Sequence, residues 1–137
     1  GWAKPVPVNT RNLRQNWKEK YVAISAAGPA SNLVLAALAA VAVNLIGFEN
    51  SASPVGPLFW FCRRMVDLNV GLAVFNMIPV PPLDGGNVLS GLLTGSMAEA
   101  FDRLRPYGFL ILYGLMLSGI LWTIVSPPAS LLVSWLL

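Results

Sequence analysis

Charged residues come in short bursts along this chain, and long apolar blocks run between them. Residues 21–48 form 28 consecutive positions without one charge. As a single helix they would reach about 42 Å, against a bilayer hydrocarbon core of about 30 Å. The block therefore predicts a span that tilts or leaves its first turns outside the core, with Pro29 near its real start. A second block, 58–78, has 21 residues, but Arg63, Arg64 and Asp67 interrupt its first half. Asp67 lies three and four positions after the arginines, at helical pairing distance from both. Only Leu68–Ile78, about 16 Å of helix, is cleanly apolar before Pro79. The third block, 107–125, gives 19 charge-free residues and predicts another span. Ser126-Pro127-Pro128 should stop it, leaving 129–137 too short to cross alone.

The polar stretches between these blocks predict connections. Residues 1–9, with Trp2, Lys4, Pro5 and Pro7, suit an extended or interfacial segment, because alternate prolines oppose a helix. Residues 10–20 hold Arg11, Arg14, Lys18 and Lys20, a basic entry to the first span with Trp17 and Tyr21 at headgroup level. Residues 49–57 read as a polar loop. Residues 87–105 read as a moderately amphipathic helix with Glu99, Asp102 and Arg103 at its polar end. The fold class expected is all-α: one multi-pass transmembrane helical domain over 1–137, with about three spans, 21–48, 58–78 and 107–125. One of them is broken at a proline-rich Leu-Asp-Gly motif.

Composition supports the membrane class. Hydrophobic residues make up 55% and charged ones 11%, where a soluble domain carries about 25% charged. The net charge of +3 does not argue for nucleic acid, since the basic residues flank apolar blocks and no base-stacking or groove-binding motif joins them. Seven basic residues lie in 1–20 and 81–106 against two, Arg63 and Arg64, on the opposite side. The richer side is expected to be cytoplasmic, in a bacterial-type plasma membrane, with the same residues attracted to anionic lipid. A single cysteine, Cys62, can make neither an intrachain disulfide nor a sulfur-based metal site.

The stretch that interrupts the second span is Asn76-Met-Ile-Pro79-Val-Pro81-Pro82-Leu-Asp84-Gly85-Gly86. Pro79 removes a backbone donor and should end or kink the helix near Ile78. Two glycines then permit a sharp turn or a close backbone approach. Asp84 has two readings that do not exclude each other. It can cap a helix beginning at the glycines, or it can be a functional carboxylate near membrane depth, where a charge is costly. Asn76 likewise can bond the kinked backbone or a reacting group. Gly28, Asn32, Ala36 and Ala40 repeat at i, i+4 and make one small-residue face, which would let a neighbouring helix approach closely and turn Asn32 away from lipid.

Asn76-x-x-Pro79-x-x-Pro82-Leu83-Asp84-Gly85 resembles the Asn-Pro…Leu-Asp-Gly signature of the site-2 protease family of intramembrane zinc metalloproteases. Gly28-Pro29-Ala30-Ser31-Asn32 and residues 1–9 resemble blocks of its compact bacterial branch, in the same order. The resemblance covers residues 1 to about 90. It implies that Asp84 is a zinc ligand, that Asn76 binds a substrate carbonyl or the developing oxyanion, and that Asn32, Pro79, Pro82 and Gly85 support the site. It also implies Zn2+ as cofactor, with a membrane-protein substrate and the lipid bilayer as partners. The family's other hallmark, H-E-x-x-H, has no counterpart here, for the sequence contains no histidine. In the family that motif lies upstream, and this chain starts at Gly1. A C-terminal fragment without its first helices is the economical expectation, and the missing N-terminal helices of the same protein then become a partner. Such a fragment is expected to hold no zinc and cut nothing alone. Two rivals stand beside it: a non-catalytic relative that binds membrane helices, and a channel or transporter piece in which a broken helix and a buried Asp make an ion path.

Overall fold

In a computed structural model, which describes residues 10–47 and 53–137, the chain is all-α, and no strand occurs among the described residues. Helix α1 runs Thr10–Ile46 and α2 Gly56–Asn76. After a seven-residue break come α3 (Asp84–Leu92) and α4 (Gly95–Leu104), a 3-10 turn (Arg105–Tyr107), α5 (Gly108–Ser118) and α6 (Ile120–Leu136).

The small residues expected to admit a neighbour do so. Ala36 and Ala40 of α1 are 0% and 3% exposed, and they pack on Val66 and Val70 of α2. Ala129, Leu132, Val133 and Leu136 of α6 close over this cluster. A second cluster joins Ile78 and Leu83, near the two ends of the break, to Leu121 and Val125 of α6. Helix α6 thus braces both the α1–α2 pair and the irregular segment. Outward faces carry exposed apolar side chains, among them Ile24, Leu38, Leu45, Phe109, Trp122 and Trp135. That is the pattern of a membrane domain, where lipid covers what water would not. Asn16–Ile46 is long and apolar enough to cross a bilayer, and the pair Gly95–Ser118 and Ile120–Leu136, bent by 80°, passes the same test as one broken span.

Helix α1 runs through Pro29 and has its one non-helical residue at Asn16. Proline is tolerated within helices of membrane proteins because neighbours re-satisfy the freed backbone. Three expectations are corrected. The third block is not one continuous helix: Gly119, at φ 76°, separates α5 from α6. That left-handed conformation suits glycine, and Ser118 Oγ accepts the Ile120 N–H at 3.4 Å just beyond it. Ser126-Pro127-Pro128 does not end a helix either, since α6 runs through both prolines. Finally, the 87–105 helix is two, with Gly95 at φ 60° after the break. Asp67 pairs with Arg64, at 3.9 Å. The expected extended segment 1–9, residue 48 of the expected first span and residues 49–52 of the expected loop lie outside the described residues.

Candidate functional site

Helix α2 ends as Pro79 requires. The Met77 N–H still bonds Ala73 and Val74, and the Ile78 N–H bonds Phe75 O at 3.1 Å. The chain then turns tightly, with Val80 N–H to Ile78 O at 2.8 Å and Leu83 N–H to Val80 O at 2.9 Å. The Pro81–Pro82 bond is cis. Ile78, Pro81 and Leu83 point inward, whereas Pro79 and Pro82 are exposed. Folding back, the first turn of α3 lies directly on this segment. A Cβ on Gly85 would collide with the Met77 and Ile78 carbonyls, and one on Gly86 would stand 2.6 Å from Pro81 N. The glycine pair is therefore a steric necessity of the break.

Asp84 is the first residue of α3, and the residue before it, Leu83, is the N-cap. The capping reading is not realised: no side-chain cap bond forms at this terminus. As a first-turn acid, Asp84 still faces the favourable end of the helix dipole, worth about 0.3–1 kcal/mol. The half-buried carboxylate makes no hydrogen bond or ion pair among the described residues. It lies against α1 at Gly28, where an added Cβ would stand 2.8 Å from Asp84 Oδ2. Gly28 thus leaves the room that the carboxylate uses.

Of the other predicted positions, Gly85 joins Asp84 at the fold-back, and Pro79 makes the break. Asn76 is the half-buried last residue of α2, next to Met77, whose carbonyl lies under Gly85. Asn32 is half-buried on α1, and its amide makes no hydrogen bond among the described residues.

Sequence reasoning missed a polar network beside this site. Tyr21 Oη donates to Asn87 Oδ1 at 2.8 Å, joining α1 to α3. Arg105 donates to Tyr21 Oη from both terminal nitrogens at 3.4 Å, and to Ser90 Oγ at 2.9 Å. Its Nε meets Asp102 Oδ1 at 3.0 Å, and Ser90 Oγ donates to the same oxygen at 3.2 Å. Bonding to Tyr21, then to Asp102, raises the Arg105 pKa above its ordinary value, although desolvation opposes this. Lys18 Nζ adds a bond to Leu93 O at 3.2 Å. The contacts join residues up to 84 positions apart, and no local pattern announces them.

The chemistry of this donor set fits zinc in part. A carboxylate with no donor among the described residues keeps its lone pairs for a cation, which is what a metal ligand needs. Yet no group of three His, Cys, Asp or Glu that could hold a metal occurs among the described residues. One candidate ligand is present, and a site is not completed by the described residues.

Comparison with known proteins agrees with the motif. The family model "Peptidase family M50" matches residues 50–118. Three similar proteins share the printed name "Putative zinc metalloprotease". YwhC of Bacillus subtilis is 32% identical over 133 residues, covering 92% of this chain and 60% of that protein. Rip2 of Mycolicibacterium smegmatis is 34% identical over 111 residues, 77% of this chain and 40% of its own. CPE1693 of Clostridium perfringens is 34% identical over 92 residues, 62% and 27%. The chain thus spans at most 60% of the length of these relatives. No solved structure matches it.

Proposed function

The chain belongs to peptidase family M50, and from that premise we propose that it is the carboxylate-bearing part of a site-2-type intramembrane zinc protease. Its substrates are membrane-embedded proteins, whose peptide bonds the complete enzyme hydrolyses. The observation that carries this reading is Asp84, a half-buried acid without a partner among the described residues, held on a proline-broken backbone against Gly28.

Each residue then has a task. Asp84 supplies one zinc ligand. Two histidines and the general-base glutamate come from a segment outside residues 1–137, since this sequence has no histidine. A bound zinc supplies polarisation of the scissile carbonyl and a water acidic enough to attack near neutral pH. Gly28 keeps the carboxylate's place free of side chain. Gly85 and Gly86 let α3 begin directly on the break, which fixes where the carboxylate emerges. Asn76, at the end of α2, offers amide donors to a substrate carbonyl or to the oxyanion that develops from it. Basic residues on the Lys18–Arg105 side hold that end of the bundle at the cytoplasmic face.

The test is Asp84→Ala in the complete protein carrying this chain. Loss of zinc and of cleavage, with membrane insertion retained, is expected. Full zinc content in the variant would leave Asp84 a purely structural residue and remove the proposal's basis.

A further inference from the structure

Helix α3 is only nine residues long, and its buried residues are two glycines. A helix so short is marginal on its own, and glycines contribute little apolar burial, so its orientation must come from what it touches. The contacts follow one stripe. Asp84, Asn87 and Gly91 repeat at i, i+3, i+7 and meet Gly28, Tyr21 and Val22 of α1 in turn, while Leu93 O meets Lys18. Helix α3 therefore lies antiparallel on the first half of α1, with Asp84 at one end of the seam and the polar network at the other.

We infer that Tyr21, Asn87 and Arg105 are positioning residues for Asp84, acting through the rotation of α3. The Tyr21 hydroxyl is the centre of the device, since it donates to Asn87 and accepts from Arg105. Arg105 is held in turn by Ser90 of α3 and Asp102 of α4. One hydroxyl thus ties α1, α3 and the turn after α4 together. Asn87 sits one turn after Asp84 on the same face, so rolling α3 to break the Tyr21–Asn87 bond would carry the carboxylate off Gly28. The seam does not depend on apolar burial, because Tyr21, Asn87 and Ser90 are all half-buried and Arg105 is exposed. Directional bonds add to the close glycine contacts in holding the register.

The functional consequence rests on the proposed metal role of Asp84, but the placement of α3 does not, and the experiment separates them. In the complete protein, spin-labelled non-natural side chains at positions 24 and 92, both exposed, report the α1–α3 distance by pulsed electron resonance. One narrow distribution is expected. Tyr21→Phe and Asn87→Ala should each broaden it, whereas Asn87→Asp, which keeps an oxygen acceptor, should leave it narrow. Zinc release to a chelator should quicken about 10-fold in Tyr21→Phe and Asn87→Ala, with kcat falling at unchanged KM, and Asn87→Asp should restore both. A mere loss of stability would lower the melting temperature without the rescue by Asp. Unchanged distances in both variants, or broadened distances with unchanged zinc release, would overturn the inference. Zinc retained by Asp84→Ala would instead overturn the metal reading and leave the distance result standing.

Discussion

Asp84 Oδ2 lies over Gly28 so closely that a Cβ at position 28 would stand only 2.8 Å from it. The obstacle would be the end of a flexible carboxylate rather than backbone, so Gly28→Ala can be accommodated by swinging Asp84 aside. Alanine is also the better helix former, by about 0.5–1 kcal/mol. Gly28→Ala is therefore expected to keep or raise the melting temperature while weakening zinc retention. Thermal melts beside a chelator competition check it; normal retention would mean that the contact does not position the carboxylate.

Gly85→Ala should behave in the opposite way. The added methyl meets the Met77 and Ile78 backbone carbonyls, which cannot swing aside without moving the end of α2. Overpacking of this kind costs about 1–3 kcal/mol, and here the strain falls at the break itself. Reduced folded yield and a lower melting temperature are expected even without metal, read by size-exclusion chromatography and a thermal melt in detergent. A variant as stable as the parent would show that the fold-back is looser than its geometry.

Much of this was legible in the sequence, and the remainder has physical reasons. The end of α2 could be read because Pro79 lacks a donor, and the small face of α1 because Ala36 and Ala40 recur at helical spacing. The same rule misled at Pro127 and Pro128, which lie inside α6, where packed neighbours change what a missing donor costs. Gly119 breaks a run that hydropathy reads as continuous, because hydropathy is blind to φ. The Tyr21–Asn87 and Tyr21–Arg105 bonds span 66 and 84 positions, beyond any periodicity. Asp84 itself stood out through its motif, whereas its seat on Gly28 needed three dimensions.

The Arg105 network should be indifferent to pH across the working range of an enzyme. Its guanidinium pKa is raised from an already high ordinary value, by bonding to Tyr21 first and Asp102 second. A cation whose folded pKa is raised contributes stability that is present below the unfolded value and lost only as pH rises through the folded one. That window lies far above neutrality. With side-chain exposures of 39% and 57%, the Arg105–Asp102 pair is also open to screening by salt. The α1–α3 distance distribution should stay constant from about pH 6 to 9. A shift within that interval would mean that another titrating group controls α3.

Orientation in the bilayer gives a further test. Lys18 bonds Leu93 O, so the start of α1 and the end of α3 lie at the same end of the bundle. Arg63 and Arg64 lie in the first half of α2, which follows the far end of α1. With seven basic residues on one side against two on the other, the Lys18–Leu93 end is expected in the cytoplasm. Single cysteines at positions 15 and 52 should then react with impermeant reagent from opposite faces. Reaction of both from one face would sink the three-span arrangement.

The last prediction concerns residues 1–137 in isolation. Zinc sites in proteins take three or four protein ligands, drawn from histidine, cysteine and carboxylate. This sequence has no histidine, and its one cysteine, Cys62, lies on α2 beside Arg63 and Arg64. Those arginines stand in the first half of α2, while Asp84 follows the break beyond its far end. Among the other described acids, Asp67 pairs with Arg64 and Asp102 with Arg105, and neither Glu19 nor Glu99 belongs to a group that could hold a metal. Asp84 alone must then compete with water for the ion, and no glutamate stands in the motif's general-base position. The isolated chain is expected to carry no stoichiometric zinc by metal analysis and to cut no membrane substrate. Chelator-sensitive cleavage by residues 1–137 would put the catalytic centre somewhere other than Asp84.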